Sequence, residues 1–341
     1  MSRALPPYAA APGDEEVERI ICASMATTQE SLFSQMEAIR ASSLRHNPPL
    51  GLNAVLVCQA GWFIHWAEGP GRAASELMAR VHDDSRHHSQ RVVHQSRGKR
   101  FLQTRWSMML APSSEAGVEF GRRVMDLRYM MDRGRQFAPT SVIRRLSAPL
   151  QLPLPEGADD PEAFHRVGVC SASPHGAFDL VKWLAHHHDE AIASRRFAGE
   201  ADMDSGSDYV EFMESGQPCR VIAVSRPGLL HGLRRAFLPD WPHLLMLFTG
   251  QPRHDAALMA RVGEACNGLP CTPTLLGVAP DEATHGTMAR QAAGLGLDYL
   301  ATDPVSPQDC GAVWAMVGDH LRRSGPPPSS VWALPAPRLA A

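Results

Sequence analysis

The sequence predicts two domains of different class in one chain of 341 residues. Residues 17–111 follow the order βαββαββ, which predicts an α+β, ferredoxin-like domain with two helices on one sheet face. In residues 164–323 strands and helices alternate, which predicts an α/β domain with a mostly parallel sheet. A proline-rich break at 149–157 separates them. The other expected segments are a flexible tail at 1–16, a helical extension at 112–148, a linker at 149–163 and a disordered tail at 324–341.

Turn and periodicity signals define the elements of the first domain. A strand is expected at 17–25, followed by a helix at 28–43 whose apolar residues recur at helical spacing. Tandem proline after Asn47 cannot continue a helix, so a loop must follow. The three residues 59–61, which include a glycine, predict a hairpin. The remaining expected elements are strands at 52–58 and 62–68, a helix at 71–83 and strands at 90–96 and 105–110.

One antiparallel pair interrupts the expected parallel order of the second domain. The expected strand 208–213 precedes the next strand by only the five residues 214–218. A parallel crossover needs a dozen or more residues, so these two strands must be antiparallel neighbours. The parallel strands are expected at 166–172, 219–225, 243–249, 272–278 and 298–302.

Composition limits the classes of partner. A net charge of -3 and a pI near 6.6 do not favour nucleic acid or an anionic membrane. The seven cysteines form no CxxC pair, which favours free buried thiols over disulfides or a metal site. The N-terminus lacks the apolar region of a signal peptide, and no apolar run reaches about 18 residues. These patterns predict a cytoplasmic protein without membrane insertion.

Four short segments, in the same order, resemble the BLUF family of flavin-based blue-light sensors. Residues 45–53 resemble the segment that leads into the family's second strand, and 61–69 resemble its glycine–phenylalanine–glutamine–glutamate–glycine strand. Segments 84–87 and 106–108 complete the set. The resemblance implies flavin contacts at Ser24, Asn47, Asn53, His65, Trp106 and Met108.

Two positions depart from the pattern of that family. BLUF domains use a tyrosine on the first strand and a glutamine on the third as a relay for an electron and a proton, whereas this chain has Cys22 and His65 there. A thiol is a poor hydrogen-bond donor and does not replace a phenol. Imidazole has no amide to rearrange. We therefore expect normal photochemistry to be lost and no cofactor to be bound; the alternative is FAD with altered photochemistry.

The antiparallel pair in a parallel sheet resembles Ras-like GTPases, and this resemblance places a phosphate loop at 171–178. A working loop reads GxxxxGK[ST], in which lysine binds phosphate and the hydroxyl binds magnesium. Here Ser171 replaces the first glycine, Gly176 is kept, and Ala177 and Phe178 replace the lysine and the hydroxyl residue. The resemblance therefore implies a pseudo-GTPase of the P-loop NTPase type.

The other GTPase segments are reduced in the same way. The DxxG segment at 225–228 keeps only Gly228, and the guanine-reading segment at 278–281 keeps only Asp281. Asp281 is also placed to cap a helix, which is the alternative to reading a base. Without the lysine and the metal ligands, nothing would stabilise a transferring phosphoryl group.

Two binding folds that have lost their ligand chemistry predict a non-enzymatic scaffold or regulator that acts through protein–protein interaction. The expected partner is another protein, such as a small GTPase or its regulator, or a second copy of this chain. The methionine-rich segment 122–131 is a candidate contact surface, with core packing as its alternative. The functions left open are a flavin-binding sensor with altered photochemistry and a GTP-binding switch.

Overall fold

The computed structural model describes residues 16–27, 32–111, 115–156, 162–199, 203–326 and 331–333. The flexible tail predicted for 1–16 lies outside these residues except for Glu16, and so does the predicted start of the first helix at 28–31. All structural statements below concern the described part of the chain.

Strands and helices account for most of the described residues. The strands are β1 (Val17–Ala26), β2 (Asn53–Gln59), β3 (Trp62–Gly69), β4 (His87–Gly98), β5 (Trp106–Leu110), β6 (Arg135–Phe137), β7 (His165–Ser171), β8 (Ala193–Ala198), β9 (Met203–Glu214), β10 (Gln217–Val224), β11 (His243–Leu247), β12 (Thr274–Val278), β13 (Tyr299–Ala301) and β14 (Val331–Ala333). The helices are α1 (Leu32–His46), α2 (Gly71–His82), α3 (Gly117–Asp132), α4 (Pro139–Ser147), α5 (Gly176–His188), α6 (Gly232–Phe237), α7 (Pro252–Cys266), α8 (Glu282–Gly294) and α9 (Cys310–Ser324).

The first region has the predicted βαββαββ order. Its strands lie side by side in the order β5–β2–β3–β1–β4, with β2 parallel to β5 and antiparallel to β3. The hairpin between β2 and β3 turns at Ala60 and Gly61, which both have positive φ. Glycine at the second position makes this turn accessible.

The second region also has the predicted arrangement of strands. Its central order is β9–β10–β7–β11–β12–β13, in which β10, β7, β11, β12 and β13 are parallel. β9 runs antiparallel to β10, as the short connection required. The loop between them turns at Ser215 and Gly216, with φ of 50° and 80°.

A single mixed sheet of twelve strands replaces the two separate sheets that were expected. β8 joins the two halves because it pairs antiparallel with both β5 and β9. The sequence did not predict β8, because Arg195 and Arg196 interrupt any apolar run there. Its pairing with β5 is a long-range contact that local periodicity cannot indicate.

The segment expected as a helical extension covers the second face of the first region. It forms α3 and α4, with the short β6 between them. Trp62 stacks on Phe120 at 5.6 Å between ring centroids, and its indole nitrogen donates to the Gly117 carbonyl at 3.0 Å. Trp66 is fully buried in the same cluster. The two tryptophans therefore pack against these helices, and burial of each such side chain contributes about 1.5–3 kcal/mol.

The chain beyond residue 323 was expected to be disordered, but part of it is a strand. β14 pairs antiparallel with β6, with Val331 opposite Phe137. This pairing returns the chain to the helices of the first region. None of the described helices combines the length and apolar character needed to cross a membrane.

Candidate functional site

A cavity of about 560 Å³ lies between α1 and α2 on one face of the first region. Its floor is made by β1, β2 and β3, which contribute Ser24, Leu56, Phe63 and His65. Alternate residues of a strand share a face, so Phe63 and His65 point to the same side of β3. The tryptophans at 62 and 66 therefore point to the opposite side, toward α3.

Asn47 closes the cavity where α1 ends. The residue is 2% exposed, and its carbonyl accepts from the backbone N–H groups of Leu50 and Leu52. These bonds hold the turn that the tandem proline begins. Asn47 lines the cavity, and its buried side-chain nitrogen has no hydrogen-bond partner among the described residues. A buried donor of this kind costs about 1–3 kcal/mol unless a ligand or water accepts from it.

Three histidines line the same cavity, namely His46, His65 and His87, and the last two have imidazole nitrogens that are buried. Burial, together with the neighbouring His87, lowers the pKa of His65 to about 4. Burial is also the main cause that lowers the pKa of His87. Nε2 of His65 and Nδ1 of His87 have no partner in the described part of the chain. Because His65 is neutral near pH 7, it offers one donor and one acceptor.

Cys22 lies beside His65 but makes its contacts along the sheet. The two residues are opposite each other in the β1–β3 register. The Gln90 amide of β4 donates to the Cys22 sulfur at 3.3 Å. Burial raises the pKa of the Cys22 thiol to about 11, so the sulfur stays protonated at neutral pH. A protonated thiol in this position cannot act as a ready nucleophile.

Three of the six positions implied for flavin contact line the cavity, namely Ser24, Asn47 and His65. The amide of Asn53 instead donates to the Leu102 carbonyl at 2.6 Å. Trp106 and Met108 of β5 are packed under α1 in a buried cluster with Met36 and Ala198. None of these three residues lines the cavity.

The outer part of the cavity is basic. Arg86 binds the Asp84 carboxylate with both ends of its guanidinium, and this contact lowers the pKa of Asp84. Arg45 in the last turn of α1 and Arg80 in the last turn of α2 also line the cavity and are exposed. Sequence reasoning missed the roles of Arg86 and His87, although both lie in the matched segment 84–87.

In the loop expected to hold phosphate, backbone N–H groups donate hydrogen bonds to side chains of the loop itself. The Ser171 hydroxyl accepts from the Ser173 N–H at 3.1 Å, and the Ser173 hydroxyl accepts from the Gly176 N–H at 3.1 Å. A Cβ on Gly176 would lie 2.5 Å from the Ser171 oxygen. Ala177 and Phe178 line a smaller cavity of about 180 Å³.

Gly228 and Asp281, the other expected remnants of a nucleotide site, form local hydrogen bonds that involve backbone N–H groups. The Gly228 N–H donates to the Ser225 hydroxyl at 3.2 Å. Asp281 is the N-cap of α8 and accepts from the Thr284 N–H at 2.7 Å. Asp281 therefore has the capping role that was the alternative to reading a base.

Residues 17–109 match the family described as BLUF, sensors of blue-light using FAD. No curated protein matches the chain. Among solved structures, the chain is similar to the dark state of BlrB, a BLUF protein, with 18% identity and a TM-score of 0.26 over 34% of this chain and 83% of that one. A bacterial light-regulated adenylyl cyclase shows 10% identity and a TM-score of 0.28 over 72% and 87%. BlrP1 of Klebsiella pneumoniae, in a manganese/cy-diGMP complex, shows 13% identity and a TM-score of 0.28 over 83% of this chain and 74% of that one.

These similarities confirm one prediction and correct two. A BLUF domain lies at residues 17–109, as the four segments indicated. The prediction that no cofactor is bound is wrong, because the matching family is described as using FAD. The prediction that the chain is not an enzyme is not kept, since the similar structures include one described as a bacterial light-regulated adenylyl cyclase. The family match ends at residue 109, so a Ras-like second domain stays a prediction.

Proposed function

We propose that the BLUF domain at residues 17–109 binds FAD in the cavity between α1 and α2, as a blue-light sensor with altered photochemistry. The observation that carries the proposal is the cavity of about 560 Å³, whose lining includes residues with buried side-chain atoms that lack a hydrogen-bond partner among the described residues. Buried polar groups are almost always satisfied in a folded protein. A set of unsatisfied ones around a cavity favours a ligand that completes their hydrogen bonds.

The residues at the cavity fit a flat heteroaromatic ring that carries carbonyl and ring-nitrogen groups. The Asn47 amide can donate to a carbonyl, and the neutral His65 ring can donate to or accept from a ring nitrogen. Leu56 and Phe63 supply apolar surface for the faces of the ring. A bound flavin would supply absorption of blue light and one-electron redox chemistry.

Cys22 and His65 do not transfer protons in the way that a tyrosine–glutamine relay does. The Cys22 thiol stays protonated, and its sulfur accepts a hydrogen bond from the Gln90 amide. The site therefore lacks the phenol that the relay oxidises and reprotonates. His65 accepts a proton only in acid, because burial opposes its charged form. We therefore propose that illumination does not produce the family's usual hydrogen-bond rearrangement.

The test is reconstitution of the full chain with FAD, followed by absorption spectra in the dark and under blue light. We expect a yellow protein with bound-flavin absorption bands and a light-minus-dark spectrum that differs from that of a BLUF domain with the tyrosine and the glutamine. A chain that stays colourless after incubation with excess FAD would overturn the binding proposal. A light-minus-dark spectrum like that of such a domain would leave binding intact and overturn only the altered photochemistry.

We also propose that residues 164–323 form a Ras-like domain that transmits the state of the sensor to a protein partner. The support is the strand order β9–β10–β7–β11–β12–β13 with β9 alone antiparallel. The expected phosphate loop is filled by its own hydroxyls, so we expect no nucleotide there. The test is thermal unfolding with GTP and magnesium, because a ligand of the native state raises Tm. A rise at millimolar GTP would contradict the loss of nucleotide binding.

A further inference from the structure

Three guanidinium groups and one carboxylate line the outer part of the flavin cavity. Arg45 reaches it from α1, while Arg80 and Arg86 reach it from the side of α2. Asp84 is the single carboxylate among the described residues that line the cavity, and it is already held by Arg86. The outer cavity therefore carries an excess of positive charge.

Arg45 and Arg80 differ from other arginines on the same two helices. On α1, Arg40 forms an ion pair with Glu37, and on α2, Arg72 forms one with Glu76. Across the described ranges, neither Arg45 nor Arg80 forms an ion pair or a side-chain hydrogen bond. Each stands in the last turn of its helix, where a cation also complements the helix dipole. The dipole alone does not explain why both side chains border one cavity from opposite sides.

We infer that Arg45 and Arg80 bind the phosphate groups of the flavin, so that the site selects phosphate-bearing flavins over riboflavin. The inference rests on the proposed flavin site. The isoalloxazine ring, which all flavins share, is bound by the buried lining residues Asn47 and His65. The phosphates lie at the outer end, where guanidinium groups match phosphate oxygens in charge and geometry. The preference for phosphate-bearing flavins then comes from Arg45 and Arg80 and not from the residues that bind the ring.

The experiment titrates the full chain with riboflavin, FMN and FAD and follows quenching of flavin fluorescence. We expect FMN and FAD to bind at least about tenfold more tightly than riboflavin at low salt. The preference should shrink near 1 M NaCl, where the Debye length is about 3 Å. The variant Arg45→Ala/Arg80→Ala should lose most of the preference while its Kd for riboflavin stays within about twofold.

The control is Arg72→Ala, which removes an exposed arginine of α2 that does not line the cavity. This variant should keep the native preference. Equal affinity of the native chain for all three flavins, or an equal loss for all three in the double variant, would overturn the inference while leaving the flavin site in place. Binding of none of the three would overturn the proposed function itself.

Discussion

The two expected ligand sites of this chain differ in how their polar groups are satisfied. At the cavity between α1 and α2, the Asn47 amide and the His65 ring have buried atoms that form no hydrogen bond with a described residue. At the expected phosphate loop, Ser171 and Ser173 accept from the loop's own N–H groups, and the adjacent cavity is about one third as large, at 180 against 560 Å³. A site that retains unsatisfied groups is stabilised by a ligand, whereas a loop that satisfies itself gains nothing from one.

The largest expected effect is a gain of light response at the first site. Cys22→Tyr combined with His65→Gln restores the two residue types that BLUF domains use. We expect this variant to bind FAD and to show the reversible light-induced spectral change of a BLUF domain with the tyrosine and the glutamine, which we do not expect of the native chain. The measurement is a light-minus-dark absorption spectrum. His65→Gln alone is the matched control and should show no such change, because Cys22 would still replace the phenol.

Acid should destabilise the first site through His65. Its folded pKa of about 4 lies below the ordinary value of 6.5, so the unfolded chain binds the proton more tightly. The stability associated with neutral His65 is present above pH 6.5 and is lost as the pH falls toward 4, by up to about 3 kcal/mol. Urea unfolding at pH 7 and pH 4.5 measures this loss of stability. His65→Gln should reduce the loss, whereas His88→Gln at an exposed position should not; an unchanged loss in His65→Gln would contradict the assignment.

Removal of the unpartnered amide should separate ligand affinity from stability. Asn47→Leu keeps the side-chain volume and deletes a donor that has no partner in the described structure. We expect FAD affinity to fall about tenfold, with no loss of stability in the absence of FAD. Fluorescence titration and urea unfolding measure the two quantities. Asn53→Leu provides the contrast, because it leaves the Leu102 carbonyl without its donor and should cost about 1–3 kcal/mol of stability.

The smallest effect is expected at the self-satisfied loop. Ser173→Ala removes the acceptor of the Gly176 N–H and should lower stability by about 1 kcal/mol. FAD affinity should not change. Urea unfolding checks the first expectation and flavin titration the second. A Ser173→Ala variant that is as stable as the native chain would show that the loop's hydroxyls are not what holds it.

The sequence predicted those parts of the fold that depend on local signals. Tandem proline after Asn47 and the glycine at 61 define the turns of the first region, and the short connection 214–218 requires β9 to be antiparallel to β10. β8 and β14 were missed, because each is stabilised by pairing with a strand far away in sequence.

The prediction of the site residues was limited in the same way, because it also depended on local sequence signals. Ser24, Asn47 and His65 were placed at the cavity by segment resemblance, and they do line it. Spacing alone could not show that Asn53 turns to Leu102 or that Trp106 packs under α1. These orientations depend on which side of each strand the neighbouring elements cover.

The pairing of β5 with β8 affects how this protein can be divided. Met109 lies opposite Phe197, and both are buried in the core of the first region. A fragment that ends at residue 111 would leave the N–H and C=O groups of β5 open and would uncover the apolar residues beside them. Exposed edges of this kind recruit other strands and promote aggregation. We therefore expect that the BLUF domain does not fold well as a separate fragment, and its behaviour is best measured in the intact chain.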